Sequence, residues 1–179
     1  QQPQPQKAGA KPAAAAAKKS VHGAAVGIDF GSTTVTLAAF KNGAFEAIVN
    51  TDGERYTPLV TGYTQTEIFL GSPAKSVQIK SVANTVSNVL HFLSKPFASL
   101  TAEDKALVHC ELVELEDGTT GFSVEYKGEK TLVSPQQIIT NFSQQLFKYA
   151  QQYWDCPMTA AVLSVPYHFT QEQQTALAG

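Results

Sequence analysis

At 179 residues and 43% hydrophobic content the chain can fill one full core, since a globular domain of about 150 residues buries roughly 70% of its unfolded surface. The formal charge of -2 is split along the chain: Lys7, Lys11, Lys18 and Lys19 precede the first acid, Asp29, so the remainder is acidic. That balance argues against a nucleic-acid-binding body, which would show a basic face.

The opening segment, "QQPQPQKAGAKPAAAAAKKS", mixes glutamine, proline, alanine and lysine, and has too little apolar bulk to offset the entropy of ordering it. Residues 1–22 are therefore expected to form a disordered tail. Its five-alanine run is too short to span a membrane, and its order of charges does not fit a secretory leader. The chain starts at Gln1 rather than at methionine, as expected of a piece of a longer protein. Cys110 and Cys156 are isolated and lack metal-ligand spacing, so they read as reduced apolar fillers in a cytosolic protein.

Strands come first. Val26 to Phe30 is short and apolar, Thr33 to Phe40 is rich in threonine and valine, and Asn42-Gly43 in "KNGAFEAIV" is a strong hairpin signal. Three adjacent antiparallel strands follow from that pattern. A turn at Asp52-Gly53 precedes a run from Pro58 to Thr64, and Glu67 to Leu70 adds a further short strand. Ser72 is expected to cap a helix that has Pro73 in its first turn, and Asn84 to cap a second one over "TVSNVLHFL". Between Leu107 and Val133 alternating residues, broken at Asp117-Gly118 and Lys127-Gly128, predict an antiparallel meander.

Ser134-Pro135 opens the longest helix, with Ile138, Ile139, Phe142, Leu146, Tyr149, Ala150 and Tyr153 on one face. Thr159 to Pro166 reads as a buried strand, and Thr170 with Gln173 forms a capping box for a last helix that is expected to be cut short. The mixture of strands and helices indicates an α/β or α+β layout.

The chemistry concentrates in "VGIDFGSTTVTLAAF", Val26 to Phe40. A strand ending in Asp29 that turns through Gly31 and Ser32 into a second strand gathers N–H groups and hydroxyls in one concavity, which suits a phosphate. Gly31 admits close backbone approach, and Ser32 and Thr33 can donate without repelling an anion. Asp29 would repel a phosphate, so its role is to hold a divalent cation, directly or through water. The Gly-Lys-Ser/Thr of the nucleotide loop is absent, and a strand follows rather than a helix. The same five residues also fit an ordinary tight hairpin.

The stretch from Val26 to Thr64 resembles the opening of the heat shock protein 70 family: a strand, Asp-Leu-Gly-Thr-Thr, an Asn-Gly hairpin and then Gly-x-Arg-x-x-Pro, here Gly53, Arg55 and Pro58. "FLGSPAKSV", "NTV" at Asn84 to Val86 and "AVLSVPYHFTQEQQTAL" resemble later landmarks of that family, in the same order. The resemblance implies the first lobe, residues 23–179, of an actin-like ATPase domain of ribonuclease H-like type, an α/β mixed sheet with flanking helices and an inserted antiparallel subdomain. It implies that Gly31, Ser32, Thr33 and Thr34 bind the phosphates of ATP or ADP, with Asp29 near Mg2+. The second lobe and a peptide-binding domain would follow Gly179.

One position departs from the pattern. Family members carry a catalytic lysine in an Ala-Lys-Arg-Leu-Ile-Gly stretch, and Leu90 stands in its place within "NVLHFLSKPF". A leucine cannot stabilise charge on a transferred phosphate, a loss commonly worth a hundredfold or more in rate. Lys95 and His91 offer no replacement, and Leu90 itself reads as a core-facing residue. With "NTDGER" and "QEQQTAL", this makes the chain similar to the atypical, ribosome-associated branch, which implies a cytoplasmic protein that binds nucleotide but hydrolyses little. A J-domain co-chaperone, the ribosome and unfolded or nascent chains are the implied partners, with no membrane and no specific nucleic acid. A fully active chaperone and a small-molecule kinase of the actin superfamily are the alternatives.

Overall fold

A computed structural model describes residues 24–41, 43–154 and 158–178. The tail read as disordered, Asn42 of the expected hairpin turn and Cys156 lie outside them. Strands β1 (Ala24–Phe30), β2 (Thr34–Lys41) and β3 (Ala44–Ile48) form the expected antiparallel series. Side chains alternate across the sheet, so Val26, Ile28 and Phe30 of β1 face the core beside Ala39, Leu37 and Val35 of β2. Asp29 therefore points to the opposite, more open face.

The run expected from Pro58 to Thr64 is divided into β4 (Thr57–Pro58) and β5 (Thr61–Tyr63). The first pairs with the start of β2 and the second belongs to another sheet, so the chain changes sheets within a few residues. Strand β6 (Ile68–Leu70) pairs with β5, and α1 (Ser72–Lys80) follows. Its cap is Gly71 rather than Ser72: the chain enters with φ 72°, a left-handed turn that favours glycine, and Ser72 is already helical.

The second helix expected after Asn84 does not form. Thr85 and Val86 make β7, which pairs with β5, and Asn88 in the left-handed region at φ 53° interrupts the chain before a 3-10 turn over Val89–Phe92. The Asn84 side chain instead accepts a hydrogen bond from the Glu125 N–H at 2.9 Å. A helix that pattern reading did not anticipate, α2 (Ala102–Ala106), is opened by a capping box between Thr101 and Asp104. The meander is β8 (Glu111–Glu114), β9 (Thr120–Tyr126) and β10 (Glu129–Val133), in sheet order β10-β9-β8.

Helix α3 (Pro135–Trp154) carries Ile138, Ile139, Phe142, Leu146 and Ala150 into the core shared with β1 and β2. Strand β11 (Met158–Ser164) then runs parallel to β1, which makes the central sheet mixed, with order β11-β1-β2-β3 and β4 attached to β2. This strand was expected to be buried, yet most of it is exposed, because among the described residues only β1 pairs with it. The Thr170–Gln173 capping box forms as expected at the start of α4 (Gln171–Ala178).

Edge-to-face contact of Phe92 with Phe122, centroids 5.5 Å apart, ties the 3-10 turn to the meander inside the same core. Cys110 is a free, buried thiol, and burial raises its pKa to about 11. Phe142→Ala should cost about 4 kcal/mol through the cavity it leaves in this core. Phe147→Ala, on the same helix but 36% exposed, should cost less than about 1.5 kcal/mol. Urea denaturation of the two variants tests the assignment of the buried face.

Candidate functional site

The β1–β2 connection is the three residues Gly31, Ser32 and Thr33. The Gly31 N–H donates to the Thr34 carbonyl at 3.0 Å, which leaves Ser32 and Thr33 at the tip, both exposed. Neither has a positive φ. A Cβ at position 31 would lie 3.0 Å from the Thr34 carbonyl oxygen, so a glycine keeps the loop this tight. The Thr33 carbonyl accepts from the Leu59 N–H at 2.8 Å, and Pro58 pairs with Thr34. The Gly-x-Arg-x-x-Pro segment thus braces the loop from behind. Its own turn is held by the buried Asn50, whose side-chain oxygen accepts from the N–H groups of Asp52 and Glu54, each at 2.9 Å.

Among the described residues the N–H groups and hydroxyls of Ser32 and Thr33 have no hydrogen-bond partner. Asp29 lies three residues upstream, exposed at the end of β1. Its Oδ1 accepts a hydrogen bond from the hydroxyl of Ser164 at the end of β11, while Oδ2 has no partner among the described residues. Sequence reading missed Ser164. Its proximity to Asp29 follows from the parallel β1–β11 register, which no local pattern reveals.

Beside Ser32 opens a cleft of about 240 Å³, lined also by Asn88, Leu90, His91, Pro166 and His168. Leu90 is 2% exposed and belongs to the core cluster, as expected, while its surface forms part of the cleft wall. Lys95, the next cation along the chain, is turned to Asp104, with Nζ 2.6 Å from Oδ1. His91 Nε2 is 2.5 Å from the same oxygen. One ring nitrogen cannot donate to Asp104 and accept from Lys95 at once, so the shorter contact makes His91 a donor to the carboxylate.

A model of the Hsp70 protein family matches residues 25–179. The chain belongs to the Hsp70 family. Among curated Hsp70 relatives it is 29% identical over 154 residues to Heat shock protein 88 of Dictyostelium discoideum, a match that covers 85% of this chain and 20% of that protein. It is 31% identical over 152 residues to the chaperone protein DnaK of Akkermansia muciniphila, covering 84% of this chain and 24% of the relative. With Heat shock 70 kDa protein 14 of Danio rerio the identity is 30% over 155 residues, covering 86% and 31%. This chain thus spans less than a third of each of these three relatives. Its mixed sheet with flanking helices is that of an Hsp70 actin-like ATPase lobe.

Asp104 holds Lys95 and His91 together, and of these His91 lines the cleft. The Lys95 ammonium, the Thr101 N–H at 2.8 Å and His91 together hold the Asp104 carboxyl well below the ordinary carboxylate range, against the opposing effect of burial. Because the folded pKa is lowered, the stabilisation is complete above the unfolded value of about 4 and is lost as pH falls toward the folded one. Asp104→Ala, which removes a helix cap and the partner of Lys95, should lower stability by about 2 kcal/mol at neutral pH. Urea midpoints of wild type and variant should stay apart at pH 7 and converge in acid.

Proposed function

We propose that this chain is the first lobe of the ATP-binding unit of an Hsp70-type chaperone, one that binds nucleotide with little or no hydrolysis. The observation that carries the reading is the Ser32–Thr33 loop, with its unspent donors, no charge of its own and one exposed carboxylate nearby. Phosphate oxygens would meet Gly31, Ser32, Thr33 and Thr34, and Asp29 would hold Mg2+ directly or through water. The donor set fits that ion. Among the described residues no cluster of three or more His, Cys, Asp or Glu could cage a metal, and magnesium is commonly held by one or two carboxylates with waters and substrate phosphates. When bound, the ion supplies charge neutralisation on the phosphates.

Two features support weak hydrolysis. Leu90 presents only hydrocarbon where the family lysine would act, and Lys95 is engaged by Asp104. The remaining phosphate contacts, the adenosine pocket and the catalytic acids would come from a second lobe after Gly179. We assign the whole protein to the cytoplasm, acting with a J-domain co-chaperone at the ribosome on unfolded or nascent chains bound by domains outside this chain. Support for this comes from the "NTDGER" and "QEQQTAL" resemblance and from the lysines of residues 1–20, which suit a phosphate-rich surface. No described helix is long and apolar enough to cross a membrane.

Calorimetry on the full-length protein should show Mg2+-ATP binding with a Kd in the micromolar range or tighter, and Ser32→Asp should weaken it by about a hundredfold, because it sets an anion in the cradle. Residues 24–179 alone should bind far more weakly. Micromolar affinity of that piece would overturn the two-lobe reading. Single-turnover hydrolysis should stay near background in the full-length protein and rise in Leu90→Lys; steady wild-type turnover would favour the fully active chaperone instead.

A further inference from the structure

Thr36, Asp29 and Ser164 stand in one row across the sheet: Asp29 is registered with Thr36 on β2 and with Ser164 on β11. Side chains opposite one another on adjacent strands have Cβ atoms about 5 Å apart on one face. Both neighbours carry a hydroxyl, yet only that of Ser164 bonds the carboxylate. An ionised carboxylate can only accept, so the serine is the donor. Without that bond, an exposed aspartate at a strand end is free to turn about its side-chain torsions.

Ser164 is itself held in place. Its strand register with Asp29 is fixed by the parallel ladder, and Val165, which precedes Pro166, is biased toward extended backbone. Phe169, whose N–H donates to the Pro166 carbonyl at 3.0 Å, is buried and anchors the segment that follows. The donor's backbone is therefore fixed on both sides, and an outer hydrogen bond of this kind orients a metal-binding carboxylate.

We propose that Ser164 is the positioning residue of Asp29: its hydroxyl pins Oδ1 and thereby holds Oδ2 toward a hydrated divalent cation bound with the nucleotide phosphates. The inference rests on the nucleotide reading above. It gives β11, which contributes nothing to the phosphate loop itself, a part in the metal-dependent share of binding.

The test follows fluorescence of methylanthraniloyl-ATP on the full-length protein as Mg2+ is titrated, with an EDTA baseline. Ser164→Ala should raise the half-saturating Mg2+ concentration about tenfold, leave the affinity in EDTA unchanged, and be rescued by Ser164→Thr. In an Asp29→Asn background Ser164→Ala should add nothing, since the two residues act as a unit. Ser164→Cys, a near-isosteric and weaker donor, should lie between alanine and wild type and serves as the second variant if alanine fails to fold. An unchanged Mg2+ dependence in Ser164→Ala or Ser164→Cys overturns the proposal, as does an equal loss in EDTA, which marks a structural role. Wild-type protein that binds the probe with no response to Mg2+ overturns the role of the cation alone, whereas failure to bind the probe at all overturns the nucleotide reading.

Discussion

Strand β1 is hydrogen-bonded along both edges, antiparallel to β2 on one side and parallel to β11 on the other. The rest of the site depends on that double pairing. It fixes which side chains enter the core, because the alternation that buries Val26, Ile28 and Phe30 sends Asp29 to the open face. It also fixes the neighbours of Asp29. A slip of one residue on either edge would exchange the carboxylate for a core phenylalanine or isoleucine and would dissolve the row of hydroxyls beside it.

The cleft beside Ser32 shows how one region serves packing and chemistry together. Leu90 and Phe92 face inward on a short 3-10 turn, and the turn is tied down from outside by Asp104, which bonds both His91 and Lys95. The hydroxyl of Thr120, itself fully buried, donates to the Lys95 carbonyl at 2.9 Å and joins this segment to the meander. Lys95 is thus committed to Asp104 and to holding this segment together. Leu90 adds a hydrocarbon surface to a cleft also lined by Ser32, Asn88, His91 and His168, while Lys95 is turned away to Asp104.

Much of this was legible in the sequence because the signals were local. Strand alternation, the three- and four-residue spacing of α3 and the Thr170–Gln173 box each report on a few neighbouring residues, and each of these elements formed. The misreadings have a common cause in tertiary pairing. Thr85 and Val86 left a helical pattern because β5 was there to pair with them, and β4 broke from β5 because the start of β2 accepted it. Gly71 displaced Ser72 as a cap because the chain had to enter α1 through a left-handed turn. The same limit applied at the site. Asp29, Gly31, Ser32, Thr33 and Thr34 are contiguous and could be proposed together, whereas Ser164 is 135 positions away from Asp29 and meets it only in the folded sheet.

The two rims of the central sheet carry a further consequence. At one rim β3 holds Phe45 83% exposed, and at the other β11 holds Val162 71% exposed, each on a strand that pairs on one side only among the described residues. Backbone groups left open beside outward aromatic or branched side chains are a template for recruiting another strand. Prepared by itself, this polypeptide carries a self-association liability at both ends of its sheet, so its solubility depends on whatever shields those rims.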